Sequence, residues 1–265
     1  HPGCWSYNDM LAIYTTSSTA TAHPEWILKD AAGNKLTFYS SVQYLADVGN
    51  PAYQDYKVAQ VVALKARGYK GVHCDDVNMI GAGTGPSRGA INPRTGALYT
   101  WPDWQRDMAN MMVKISDRAP TLEIVHNALW RATGLDVDRQ IKACDVFELE
   151  RGFLDPNYSP AQIIQLWAWI DKLHSWGVNV NHLSELADTQ SEATFNLACG
   201  LLVNDGGDYQ YSQYGWRPDA WDPMHDLDLG AAKGARYQLA DGRWRREFIG
   251  GIVTVDLAAK TAVIG

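Results

Sequence analysis

One stretch, Ala66-Arg-Gly-Tyr-Lys-Gly-Val-His-Cys-Asp-Asp-Val-Asn-Met79, restricts the folds open to this chain more than any other. It leads from a helix into a short apolar strand that ends in two consecutive carboxylates, Asp75 and Asp76. Gly68 supplies the left-handed residue that stops the helix, a conformation glycine takes without steric penalty. From Gly71 the side chains alternate, so His73 and Asp75 share one face while Val72, Cys74 and Asp76 take the other. A helix feeding a strand that ends in acid is the layout of an α/β barrel, whose chemistry gathers at the carboxyl ends of its strands.

The remaining punctuation fits that class. Asn50-Pro51 and Ser159-Pro160 read as helix starts, with a capping side chain followed by proline at the first helical position. Trp104, Met108, Met111, Met112 and Ile115 recur at helical spacing and read as core. Strands are expected at 11–15, 42–47, 71–75, 122–127, 145–150, 178–182 and 208–211, alternating with helices as in a parallel sheet. That is one short of the eight a closed barrel needs, and the shortfall lies at the front. The expected fold is therefore a (β/α)8 TIM-type barrel whose first strand–helix unit is absent or supplied upstream. The chain begins at His1 without an initiator methionine, so a processed product or a piece of a longer polypeptide is expected. Residues 236–265 alternate around Asp241-Gly242 and Gly250-Gly251, the pattern of antiparallel hairpins. The expected division is a barrel domain at 1–235 and a small β appendage at 236–265. Residues 81–95, rich in Gly, Pro and Ser, read as a mobile loop over the site.

Composition narrows the partners. A net charge of −7 without a basic cluster makes nucleic acid and anionic membranes poor partners. No apolar run reaches the roughly 18 residues of a membrane span. The chain carries 11 Trp and 13 Tyr against 5 Phe, and aromatics with a polar edge suit wet, flat ligands such as sugars. Cys4, Cys74, Cys144 and Cys199 are widely spaced and read as buried free thiols. The glycines at 81, 83 and 85 do not open a helix after a strand, so no nucleotide is expected. His73-x-Asp75 is not a metal site, which needs about three converging ligands. No cofactor is expected.

The acids carry the chemistry. In Asp145-Val-Phe-Glu-Leu-Glu-Arg-Gly152 alternation puts Val146, Glu148 and Glu150 on one face. Two acids inside a barrel strand are costly to bury unpaired. They either pair with Arg151 or another arginine, or face Asp75 as the second member of a catalytic pair. Glycoside hydrolysis needs that pair, one carboxylate to attack or activate water and one acid to protonate the leaving oxygen. The catalytic candidates are Asp75 and Glu150, with Glu148 close behind. His73 shares the face of Asp75 one step deeper, where it either hydrogen-bonds Asp75 or a sugar hydroxyl or is an inert core histidine. Asn127, His182 and Glu185 sit at strand ends as candidates to line the cleft. Asp208 and Tyr209 flank the last strand, and Trp216 and Trp221 lie in a loop where rings could stack on pyranose faces.

His23-Pro-Glu-Trp26, Asp47-Val-Gly-Asn-Pro51, Gly71-Val-His-Cys-Asp-Asp-Val-Asn-Met79 and Glu148-Leu-Glu-Arg-Gly152, together with Asp228-Leu-Gly230 and Arg245-Arg-Glu-Phe248, resemble the proteins called hypothetical glycosyl hydrolase family 15. The likeness covers most of the chain. It implies kinship with the barrels of α-amylases, dextranases and polygalactosaminidases. In those enzymes an Asp at the end of the fourth strand attacks the sugar and a Glu on a later strand is the acid/base. Those roles carry over to Asp75 and, less securely, to Glu150 or Glu148, and imply a retaining mechanism. The expectation is a secreted or surface-displayed glycosidase acting on a polysaccharide. Its rivals are a non-catalytic glycan-binding barrel, as in a phage tail or cell-surface protein, and a metal-assisted barrel enzyme.

Overall fold

In the computed structural model, which describes residues 3–39, 41–183, 187–211 and 223–265, the chain divides into two units, 1–147 and 148–265. The first unit opens with a strand that the sequence reading passed over, β1 (Trp5–Asp9). After it come β2 (Ala12–Tyr14), α1 (Ser18–Ala22), β3 (Thr37–Phe38) and β4 (Gln43–Leu45). Then follow α2 (Pro51–Ala66), β5 (Gly71–Asp75), α3 (Trp101–Arg118), β6 (Glu123–Asn127) and α4 (Leu135–Ile141).

Helix α2 starts as its sequence requires. The Asn50 side chain accepts from the amides of Ala52 and Tyr53, and Pro51 has no amide to leave unpaired. Gly68, at φ 83°, then turns the chain into β5. Strand β5 lies between β1 and β6, parallel to both, with Asp9 level with Asp75 and Cys74 level with His126. Helix α3 covers this layer with Trp104, Met108, Met111, Met112 and Ile115, all fully buried. Cys74 and Cys144 are buried free thiols, whereas Cys4 is an exposed one.

Two expected barrel strands prove to be something else. Residues 11–15 and 42–47 contain β2 and β4, which pair antiparallel in a separate three-stranded sheet with β3. The front parallel strand is β1. Its apolar content is low because its even positions, Ser6 and Asn8, are polar; Asn8 takes a 3.0 Å hydrogen bond from the Lys57 ammonium of α2. That polarity hides a strand which, when buried on both faces, normally reads as a continuous apolar run.

Strand β7 (Val146–Leu149) straddles the division between the units. The second unit continues with α5 (Pro160–Ser175), β8 (Asn179–Leu183), α6 (Gln190–Leu201) and β9 (Tyr209–Tyr211). Ser159 and Gln162 form a reciprocal capping box at the start of α5. Strands β8 and β9 pair in parallel. The antiparallel sheet at the C-terminus is present as β10 (Tyr237–Gln238), β11 (Trp244–Glu247), β12 (Ile252–Asp256) and β13 (Thr261–Ile264). Trp167 of α5 meets Trp244 edge-on at 5.4 Å, and Val253 and Val255 are fully buried.

The fold is mixed α/β on parallel strands, and neither unit closes into a barrel among the described residues. None of the described helices is long and apolar enough to cross a membrane.

Candidate active site

Asp75 ends β5 half-buried. Its carboxylate is held by three donors. Asn127 Nδ2 donates to Oδ1 at 2.9 Å, and so does the backbone amide of Asp76, also at 2.9 Å. The Tyr7 hydroxyl donates to Oδ2 at 2.5 Å. Strand register explains the grouping, because Tyr7, His73, Asp75 and Asn127 all stand at odd positions of neighbouring parallel strands and so share one face. The Tyr7 ring also stacks on His73, 5.8 Å between centroids and 20° between planes. Partial desolvation of the phenol and its hydrogen bond to the Asp75 carboxylate together push Tyr7 above the ordinary tyrosine range, so it stays a donor.

The turn after Asp75 is fixed from several sides. Asp76 has a left-handed backbone at φ 56°, a region aspartate enters more readily than most residues, and this conformation aims its amide at Oδ1. Asn78 then accepts the Leu129 amide at 2.8 Å, and the Trp104 indole donates to the Asn78 carbonyl at 2.9 Å. Gln140 holds the Val77 carbonyl at 3.1 Å. Farther on, Arg94 grips Asp47 through two hydrogen bonds of 3.0 and 2.9 Å and reaches Asp107 at 2.7 Å. The glycine-rich segment expected to be a mobile loop is therefore tied at its end to Asp47, ahead of α2, and to Asp107 within α3.

Asp9 and Lys57 are further polar groups beside the site that sequence reasoning missed. Burial pushes Asp9 above the usual carboxylate range, against the amide of Leu11 and the charge of Lys57, and the neighbouring Asp75 adds to the rise. Lys57 donates to the Asp9 carbonyl at 2.7 Å, and burial lowers its ammonium to about 8. The signal was present, since Trp-x-Tyr-x-Asp alternates at period two. An open cavity of about 550 Å³ adjoins β1, with Tyr7, Asp9, Tyr14, Tyr53, Tyr56 and Lys57 among its lining residues.

In the second unit Glu148 is buried and accepts from Asn181 Nδ2 at 2.6 Å. Glu150 lies exposed in the turn beyond β7. Tyr209 is partly exposed on β9. Glu185, Trp216 and Trp221 lie outside the described residues. His182 and Asp208 depart from expectation, because both side chains are closed off from solvent. Asp208 precedes β9 rather than ending it, and accepts from His174 Nε2 at 2.9 Å and from the Val180 amide at 2.7 Å. His182 stands 3.6 Å from the other Asp208 oxygen and stacks on Phe153. Asp208 is thus bound to His174 of α5 with His182 packed beside it, and both side chains are buried. His174, Asp205 and Asp208 are near enough together to hold an ion, with ligand atoms within 4.8 Å of one another. Asp208 Oδ1, however, is already committed to His174 and Val180, which makes the group an ion pair.

That pair gives a pH dependence. Burial works against protonated His174, but the hydrogen bond to Asp208 and the charges of Asp208, Asp205 and Asp171 outweigh it and raise its pKa. Asp208 is held down at about 2 by His174 and His182 in spite of its burial. A raised histidine contributes stability in full below its unfolded value of about 6.5, and loses it as pH rises through the folded value. The Asp208 contribution is present above about 4 and disappears as pH falls through the folded value. Thermal melts of the wild type should therefore show a decline in midpoint on the alkaline side of about 6.5 that His174→Asn lacks. Identical slopes in the two proteins would remove His174 from this account.

A strand-end carboxylate fixed by neutral donors and left open to solvent, on an α/β scaffold, is a site of the kind glycoside hydrolases build. The chain matches the family described as Hypothetical glycosyl hydrolase family 15 over residues 5–252, and it belongs to that family. It is accordingly a glycosidase. Among solved structures it is similar to the glycoside hydrolase domain of PelA from Pseudomonas aeruginosa, at 12% identity and a TM-score of 0.51, over 78% of this chain and 76% of that one. It is also similar to a noncanonic maltogenic alpha-amylase, AmyB from Thermotoga neapolitana, at 11% identity and 0.57, over 94% of this chain and 62% of the other. The alpha-galactosidase TtGalA from Thermus thermophilus matches at 14% identity and 0.57, over 96% of this chain and 51% of the other. At these identities the likeness is one of fold. No curated protein sequence matches the chain significantly.

Proposed function

We propose that this chain is a retaining glycosidase acting outside the cell on a polysaccharide, with Asp75 as the nucleophile. The observation that carries this reading is the carboxylate of Asp75, held by three donors and half-buried at the end of a parallel strand. An Asp75 oxygen attacks the anomeric carbon while the bond to the leaving oxygen breaks and that oxygen takes a proton from the acid. Water then attacks the same carbon, gives its proton to the resulting base, and Asp75 leaves as carboxylate. The sequence assigns the acid/base to Glu150 or Glu148. Exposure favours Glu150, since Glu148 is buried against Asn181. Tyr7, Tyr14 and Tyr56 around the neighbouring cavity offer the flat, polar-edged surfaces that sugars accept.

The solved structures of similar fold include an alpha-amylase and an alpha-galactosidase, the latter in complex with p-nitrophenyl alpha-D-galactopyranoside, and the substrates proposed for this chain are accordingly α-linked. The test is a panel of p-nitrophenyl α-glycosides and α-linked polysaccharides, assayed with wild type and Asp75→Asn side by side. Release of sugar by the wild type alone supports the reading. Equal release by both proteins, or binding without release by either, refutes it.

A further inference from the structure

We propose that Tyr7 is a positioning residue for the second half of the reaction, its phenol holding the attacking oxygen of Asp75 and easing that carboxylate's departure from the sugar. The inference rests on Asp75 being the nucleophile. A carboxylate offers roughly two acceptor directions on each oxygen. On Oδ1 both are filled, by Asn127 and by the Asp76 amide. On Oδ2 Tyr7 fills one, and among the described residues no other donor takes the second. The open oxygen is the one that attacks, so Tyr7 donates to the atom that forms and later breaks the bond to carbon.

Charge decides which step Tyr7 serves. When Asp75 attacks, its negative charge is lost into the ester and a donor on that oxygen gains nothing. When water displaces Asp75, the charge returns to Oδ2, and a donor already in place stabilises it as it develops. The ring is set for this role because it stacks on His73 and cannot swing away without breaking that contact. The phenol does not ionise in the working range, although Tyr7 is 62% exposed, so it remains a donor throughout the cycle. No proton leaves Tyr7 at any point; the hydrogen bond only shortens and lengthens.

Tyr7→Phe keeps the ring and removes the donor. With the p-nitrophenyl α-glycosides that the wild type cleaves, the leaving group departs with little acid assistance and breakdown of the ester limits turnover. Tyr7→Phe should lower kcat by about 100-fold and lower KM with it, leaving kcat/KM close to wild type. A burst of p-nitrophenol equal to the enzyme should precede the slow phase. Unchanged kcat without a burst, or a raised KM at constant kcat, overturns the proposal while inactive Asp75→Asn keeps the nucleophile in place. An active Asp75→Asn removes the nucleophile itself, whatever Tyr7 does. A second readout needs neither substrate nor activity. Alkaline titration of tyrosine absorbance should show a phenol ionising at lower pH in folded Asp75→Asn than in folded wild type, because the share of the rise due to Asp75 is gone while that of burial stays. Equal titration of the two breaks the Tyr7–Asp75 coupling and the proposal with it.

Discussion

Replacing Asp75 with asparagine should reduce hydrolysis by about 10⁴-fold, equivalent to some 5 kcal/mol of lost transition-state stabilisation. Asparagine has the same shape and keeps an oxygen that can accept from Asn127 and from the Asp76 amide. The amide nitrogen then faces the Tyr7 hydroxyl, which can turn to accept from it. The contacts that hold the site together thus survive, and the thermal midpoint should stay within a few degrees of wild type. What is lost is the anionic oxygen that forms the ester. Sugar release measured on the glycan the wild type cleaves, beside a melt of each protein, separates a chemical loss from a structural one. A variant that melts normally yet turns over at more than a tenth of the wild-type rate would show that Asp75 is not the nucleophile.

The largest expected loss of stability follows removal of Arg94. Asp47 is 1% exposed and Asp107 9%, and Arg94 lies between them. Burial pushes Asp47 above the ordinary carboxylate range even with the arginine present. Arg94→Met leaves Asp47 without its cation, and breaking a buried pair from one side costs about 3–5 kcal/mol. The lower end applies, because Arg94 is itself 34% exposed and water screens part of the interaction. Tyr99 keeps its 2.5 Å hydrogen bond to Asp107, which limits the damage there. Urea unfolding should show a loss of about 3 kcal/mol in Arg94→Met. Asp47→Asn combined with Arg94→Met should recover part of that, since the stranded charge is gone. No loss in the single variant, or a deeper loss in the double, would contradict this assignment.

The parts of this fold legible in the sequence are those fixed by local chemistry. Asn50-Pro51 and Ser159-Pro160 start helices, Gly68 stops one, and Asp75 ends a strand, each through a backbone requirement that neighbours in sequence satisfy. Strand partners are set by distant residues and were not legible in the same way. Residues 11–15 and 42–47 are as apolar as buried parallel strands, yet β2 and β4 run antiparallel, because a short apolar run carries no record of its partner's direction. Strand β1 was hidden by Ser6 and Asn8, whose polarity is matched in part by Lys57, 49 residues away.

The acids divide by the end of the strand they occupy. Glu123 stands at the start of β6 and binds Lys70 at 2.8 Å and the Trp5 indole. Asp145 precedes β7 and accepts the Ile124 amide at 2.7 Å, and Asp208 precedes β9 and holds His174. These are structural partners at amino ends. Asp9 and Asp75 stand at carboxyl ends, where an α/β scaffold presents its chemistry. Asp208 was assigned to the cleft from its nearness to a strand alone. The end of the strand was the missing information, and it depended on where β9 begins.

The most direct measurement is to trap the sugar on the enzyme. Wild-type protein is incubated with the 2-deoxy-2-fluoro glycosyl fluoride of the sugar it releases, digested, and its peptides weighed. The account predicts one glycosyl adduct, on the peptide containing Gly71-Val-His-Cys-Asp75, and none in Asp75→Asn. An adduct on another carboxylate, or no adduct together with a product of inverted anomeric configuration, would contradict it.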